Sequence, residues 1–261
     1  MPVSITSVRG VDFGISGRRA AVAASSGGLG LAAAQALAAE GARVALCGRN
    51  EAKLDAAVRT ITDVGGDAIA VPADVSTAAG GATFVEDAIA ALGGVDILVP
   101  NAGGPPPGGF GTTAIDQYGP ALEQNLLSTV AMCAAAVPAM REQGWGRVVA
   151  ITSVSVRQPI DGLILSNTAR AGATGFLKTL ALEVARDGVT VNSVQPGSHD
   201  TERLRSIHGG DLTAAARAVP TGTVGRAEDF GRVVAFLCSE HARFVTGAAV
   251  PVDGGAHRGL Q

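Results

Sequence analysis

The feature that most constrains this chain is a regular alternation of short apolar runs with longer helical patterns. Strand-like runs occupy Arg19–Ala24, Arg43–Cys47, Ala68–Pro72, Val95–Val99, Arg147–Thr152, Thr190–Gln195 and Ala248–Val252. They are bounded by Gly, Pro, Asp or Asn and are rich in β-branched residues, as strands buried on both faces are. Helical patterns lie between them at about Leu29–Glu40, Glu51–Val64, Thr83–Leu92, Pro120–Glu142, Leu163–Arg186 and Ala227–Ser239. Such alternation predicts an α/β fold, a parallel sheet of about seven strands with right-handed crossovers and helices on both faces. No internal repeat or linker divides the 261 residues, so one domain spanning 1–261 is expected.

Composition narrows the partners. The net charge is −3 with no basic block, which argues against a nucleic-acid partner. No apolar run reaches the roughly 18 residues needed to span a membrane. The first residues, MPVSITSVRGVDFGISGRR, lack the apolar core of a signal peptide, and a cytoplasmic location is expected. Cys47, Cys133 and Cys238 have no metal-ligand spacing; they read as buried, reduced thiols, and no metal is expected.

The first strand runs into Ala23-Ala24-Ser25-Ser26-Gly27-Gly28-Leu29-Gly30 and then an Ala-rich helix. A glycine turn there brings backbone N–H groups close to a diphosphate, and the helix N-terminus favours negative charge. Ser25, Ser26, Gly28, Leu29 and Gly30 are thus candidate cofactor contacts on a Rossmann-like, doubly wound sheet. The second strand ends at Cys47-Gly48-Arg49-Asn50, with no acidic residue to hold ribose hydroxyls. Arg49 offers a cation for a 2′-phosphate, which favours NADP(H) over NAD(H). Asp74 and Val75, after the third strand, are expected beside the adenine.

Further motifs make the resemblance specific. Asp96-Ile97-Leu98-Val99-Pro100-Asn101-Ala102-Gly103 resembles the D-x-L-V-N-N-A-G segment of short-chain dehydrogenases/reductases, with Pro100 replacing the first Asn. Val191-Asn192-Ser193-Val194-Gln195-Pro196-Gly197 followed by Thr201 resembles V-N-x-V-x-P-G-x-x-x-T. Phe236-Leu237, Thr246-Gly247 and Val252-Asp253-Gly254-Gly255 resemble that family's closing motifs. The first turn departs from T-G-x-x-x-G-x-G, with Ala23 and Ala24 at its opening positions. The resemblance implies that Asn101, Ala102, Gly103, Pro196, Gly197 and Thr201 bind cofactor, that Ser153 contacts the substrate oxygen, and that Asn125 supports a proton-relay water. It also implies a homodimer or homotetramer; Leu126, Val130, Phe176 and Leu180, on the two long helices, are candidates for its interface.

The same resemblance exposes an altered centre. Ser166 stands at the tyrosine position and Arg170 at the lysine position. A phenol titrates near ~10 and an alcohol nearer ~15.7, the value of water. The difference is roughly 7–8 kcal/mol of acidity, so Ser166 is a poor acid. Arg170 keeps the positive charge and could clamp ribose hydroxyls. His199 is a candidate replacement acid or a loop residue, with Asp161 and Asp200 as weaker candidates. Arg157 reads as an anion contact or a surface arginine, and Tyr118 as a packing residue. Gly103–Phe110 would wall the substrate pocket, with Phe110 as an apolar contact, and 198–223 would form a mobile lid. These features lead to oxidoreduction of a small carbonyl or alcohol with NADP(H). Two alternatives stay open: an NADP(H)-binding protein without turnover, and a non-redox dehydratase or isomerase.

Overall fold

A computed structural model of the chain describes residues 11–260. Residues 1–10, on which part of the signal-peptide expectation falls, and residue 261 lie outside the described residues. Seven parallel strands form one sheet in the order β3-β2-β1-β4-β5-β6-β7. They are β1 Arg19–Val22, β2 Arg43–Gly48, β3 Asp67–Pro72, β4 Ile97–Val99, β5 Gly146–Ile151, β6 Val189–Pro196 and β7 Ala249–Val252. Strand order reverses between β1 and β4, so a crevice opens beyond their carboxyl ends, where ligands bind in such sheets.

Period-two alternation within the buried strands feeds two apolar layers. Ala20, Val22, Val44, Leu46, Ile97 and Val99 face one layer, shared with α1 Gly28–Ala39, α2 Glu51–Thr62 and α9 Ala227–Cys238. Ala21, Ala45, Leu98, Val148 and Val191 face the other, with α3 Ala78–Leu92, α5 Ser128–Glu142 and α6 Ile164–Val184. The backbones of α1 and α9 approach closely: a Cβ on Gly231 of α9 would strike the Ala32 carbonyl oxygen. Half-buried Arg19 meets buried Asp96 at the opposite end of β1 and β4, with the guanidinium 2.6 and 2.8 Å from the two carboxylate oxygens.

Three elements differ from the sequence expectation. The third helix starts at Ala78, capped by Thr77 Oγ1 accepting from Gly80 N, five residues before the apolar pattern begins. The expected continuous helix Pro120–Glu142 is α4 Tyr118–Leu122, a π-turn at Glu123–Leu127, and α5. Segment 198–223 contains two short helices, α7 Glu202–Ile207 and α8 Thr213–Arg217, with Ala215 and Val219 buried. No described helix is long and apolar enough to cross a membrane.

Candidate active site

The glycine turn is shaped for a diphosphate. Gly28 has φ 59°, and α1 starts there with no side chain capping its first N–H groups. A Cβ on Gly30 would lie 2.5 Å from the Ala24 oxygen and 2.9 Å from Asn101 Nδ2, so only glycine fits. Thr201 hangs its methyl over Gly28, 3.9 Å from where a Cβ would be, while its hydroxyl caps α7 by accepting from Leu204 N. Leu29 is half-buried beside these free N–H groups. This bare helix terminus beneath Thr201 fits the diphosphate of a dinucleotide.

Two expected contacts instead hold the turn. Ser25 is fully buried; its Oγ donates to Val22 O at 2.7 Å and accepts from Cys47 N at 2.9 Å, while its own N donates to Cys47 O. Its hydroxyl and N–H are committed to joining β1 and β2, so of its polar groups only the carbonyl is left to meet a ligand. Asn101 Nδ2 lies 3.3 Å from both Ala23 O and Ala24 O and fixes the turn against β4. Ala24 is the one non-glycine with positive φ among the described residues, at 47°.

At the end of β2, a Cβ on Gly48 would sit 2.8 Å from Ser26 Cβ, so this glycine keeps space beside Ser26. Arg49 is exposed and lies 3.8 Å from Asp74, which is itself exposed. Such a pair is worth little in water and leaves Arg49 available to a phosphate. Asp74 Oδ1 accepts from Ser76 N, and the Val75 carbonyl accepts from Ser128 Oγ at 2.8 Å.

Of the catalytic candidates, Ser153 follows β5 directly and Arg170 bonds carbonyls at the ends of β4 and β5. Ser153 is half-buried just after β5, with its Oγ accepting from Ser155 N at 3.1 Å. Ser166 and Arg170 occupy one face of α6, both at 9% exposure. Ser166 Oγ has no hydrogen-bond partner among the described residues. Arg170 Nη1 donates to Ile151 O and Thr152 O at 3.2 Å, and Nη2 approaches Ala102 O at 3.4 Å. Burial, and then the charge of Arg203, push its guanidinium down to about 10. Asn125 sits in the π-turn at 4% exposure, and both its amide atoms lack partners among the described residues. A π-turn is a common way to re-aim a helical residue at a functional site. Pro196 ends β6, and a Cβ on Gly197 would lie 2.7 Å from Asp253 Cβ, so the chain passes close to the last strand there. Gly103 is exposed, with Gln124 beside it.

Other candidates are elsewhere. His199 is buried, not a surface loop residue; Nδ1 meets Gly197 O at 3.2 Å and the ring packs edge-on against Phe230 of α9. Burial pushes its pKa down, and its contacts point to the α1–α9 layer, so it is a poor replacement acid. Arg157 donates to Gln195 Oε1 and Ala249 O and braces β6 against β7, matching neither expectation for it. Asp200 is held by Arg205 at 2.6 Å, and Asp161 is exposed. Phe110 is 90% exposed, so it does not pack as a pocket wall; the proline loop is pinned instead by Gly108, which bonds Gly162 O and Ile164 N. Burial raises the Cys47 thiol to about 11 and those of Cys133 and Cys238 to about 12, which leaves them unreactive. Sequence reasoning missed Arg203, two residues beyond Thr201, which reaches across to Gly104 O at 3.2 Å.

Comparison with known proteins covers nearly the whole chain. A family model described as Enoyl-(Acyl carrier protein) reductase matches residues 23–257. The chain is 33% identical to acetoacetyl-CoA reductase of Cupriavidus necator over 93% of its own length and 99% of that protein. It is similar to L-sorbose reductase from Gluconobacter frateurii, solved with NADPH and L-sorbose, at TM-score 0.89 and 33% identity over 96% of this chain and 100% of that one. A 3-oxoacyl (acyl-carrier-protein) reductase from Agrobacterium tumefaciens C58 with NADP bound gives TM-score 0.89 at 32% identity, covering 97% and 99%.

Proposed function

Because the chain belongs to the short-chain dehydrogenase/reductase family of oxidoreductases, we propose that it is an NADP(H)-dependent enzyme that interconverts a carbonyl and an alcohol on a small molecule. The observation that carries this reading is the bare N-terminus of α1 under Thr201, with Ser153 and Arg170 at neighbouring strand ends. Ser26, Gly48 and the exposed Arg49 favour the phosphorylated cofactor, in keeping with the NADPH and NADP in the two solved relatives.

The bound nicotinamide would supply or accept the hydride. Ser153 Oγ holds the substrate oxygen. Arg170 has N–H groups left beyond its three carbonyl contacts, and these fix the nicotinamide ribose while its charge favours a developing oxyanion. Ser166 contributes a small hydroxyl where the family has a phenol, and its acidity is too weak for it to be the principal proton donor. The proton comes from water, and the unpartnered Asn125 amide is suited to order it. A second reading, cofactor binding without turnover, is favoured by the absence of an acidic side chain at Ser166.

The test is a fluorescence titration of NADPH and NADH at one ionic strength. NADPH should bind more tightly, and Arg49→Ala should lose about tenfold for NADPH, one unit of ~1.4 kcal/mol, with NADH unchanged. Equal affinities, unaltered by Arg49→Ala, would remove the cofactor assignment.

A further inference from the structure

Two guanidinium groups converge on one short stretch of backbone. Arg170 reaches the Ala102 carbonyl from α6, and Arg203 reaches the Gly104 carbonyl from α7. A Cβ on Gly104 would lie 2.5 Å from Arg203 Nη2, so the glycine lets the guanidinium lie against the loop. Neither arginine pairs with a carboxylate among the described residues. Two acids of the lid face other cations: Asp200 meets Arg205 at 2.6 Å and Glu202 meets Lys53 at 3.4 Å. Two like charges are thus left on carbonyls two residues apart, one of them buried and bonded also to the carbonyl of Thr152, the residue before Ser153.

Like charges so placed repel, and the buried one has also lost water. An anion near both would relieve both costs, and the guanidinium fork of Arg203, which spends only one contact on the loop, suits a carboxylate. The diphosphate is a less suitable occupant. Thr201 overhangs the α1 terminus, whereas the contact of Arg203 is with Gly104 in the loop after β4.

Resting on the oxidoreductase reading above, we propose that Arg203, with the fixed charge of Arg170 behind it, forms an anion clamp at the substrate mouth, and that the substrate is an oxo acid with its carboxylate a few bonds from the reacting carbonyl. Ser153 would take the carbonyl oxygen while the clamp takes the carboxylate, fixing the substrate at two points. Arg203 is then a specificity residue, supplied by the lid.

The experiment measures binding of two matched pairs by calorimetry, with and without NADPH: pyruvate against pyruvamide, and acetoacetate against acetoacetamide. Each pair differs chiefly in the charge of one terminal group. At least one acid should bind about tenfold or more tightly than its amide, a step of ~1.4 kcal/mol. Arg203→Gln, on an exposed side chain, should abolish that preference, Arg203→Lys should keep part of it, and NADPH affinity should stay within about twofold in both. Equal binding of acid and amide in both pairs, or a preference that survives Arg203→Gln, would overturn the clamp. Loss of NADPH affinity in Arg203→Gln would assign this guanidinium to the cofactor and overturn it too. If wild-type protein binds neither NADPH nor NADH, the oxidoreductase reading fails separately, and the cofactor-free acid and amide affinities still decide the clamp.

Discussion

Replacing Gly30 by alanine should damage the cofactor turn more than replacing its neighbours, by an amount the contacts allow to be worked out. The new Cβ would lie 2.5 Å from Ala24 O and 2.9 Å from Asn101 Nδ2, both inside any real carbon contact. Forcing an extra carbon into such a space costs roughly 1–3 kcal/mol. Displacing Asn101 also weakens its contacts to Ala23 O and Ala24 O, about 1 kcal/mol in all. The sum, about 2–4 kcal/mol, lowers Tm by roughly 5–15 °C in a chain of this size. Gly28→Ala meets no close atom, but φ 59° imposes about 1–2 kcal/mol of left-handed strain. Gly27→Ala, extended at φ 178° with nothing within 4 Å, should be neutral. Scanning calorimetry should rank the losses Gly30, Gly28, Gly27, and NADPH affinity should fall about tenfold or more only where the N–H groups have moved. A Gly30→Ala protein with Tm within about 2 °C of Gly27→Ala would refute the packing account of this turn.

Asp96 should govern part of the acid limb of stability. Burial pushes its carboxyl up, but the hydrogen bonds and charge of Arg19 outweigh this and hold it below its ordinary value. The stability it adds is therefore present above the unfolded value of ~3.9 and is lost as pH falls through the folded value. Asp96→Asn should lower Tm at pH 7 and shrink the Tm difference between pH 7 and pH 3; an unchanged difference would assign the acid limb to other groups. In sedimentation at micromolar concentration, a dimer or tetramer is expected, built on the exposed face of α6 that carries Ala171, Gly172, Gly175 and Leu182. Leu182→Glu should shift it toward smaller species, and a wild-type monomer would remove this expectation.

The sheet was legible because buried parallel strands leave apolar runs that no other element explains, as at Val44–Cys47 and Val148–Ile151. The turn residues Gly28 and Gly30 were legible because their constraint is local: a positive φ in one, a near contact in the other. Side chains whose partners are distant in sequence were not. Arg157 finds Ala249 O, 92 residues away, and no local pattern announces it. Ser25 and a ligand-binding serine look alike until Cys47 is placed beside it. The π-turn around Asn125 interrupts an apolar pattern that reads as a continuous helix. Phe176 and Leu180, candidates for a subunit interface, pack partly into the chain's own core, and Leu126 packs on α6 beside Gly172. Arg203 lies on a six-residue helix without a motif, and its meaning depends on Gly104 and Arg170 being brought to it.

The central claim is that the family's chemistry persists here with Arg170 as the fixed charge, Ser153 as the oxygen-binding group and Ser166 outside the proton step. It is tested most directly by single-turnover oxidation of NADPH with a carbonyl compound that the wild type reduces. Wild type, Ser153→Ala and Ser166→Ala would be compared at matched cofactor saturation. The account predicts that Ser166→Ala keeps most of the wild-type rate and Ser153→Ala loses about a hundredfold or more, as removal of one oxyanion donor does. A Ser166→Ala protein that folds and binds NADPH normally but no longer transfers hydride would contradict it and make Ser166 the working acid.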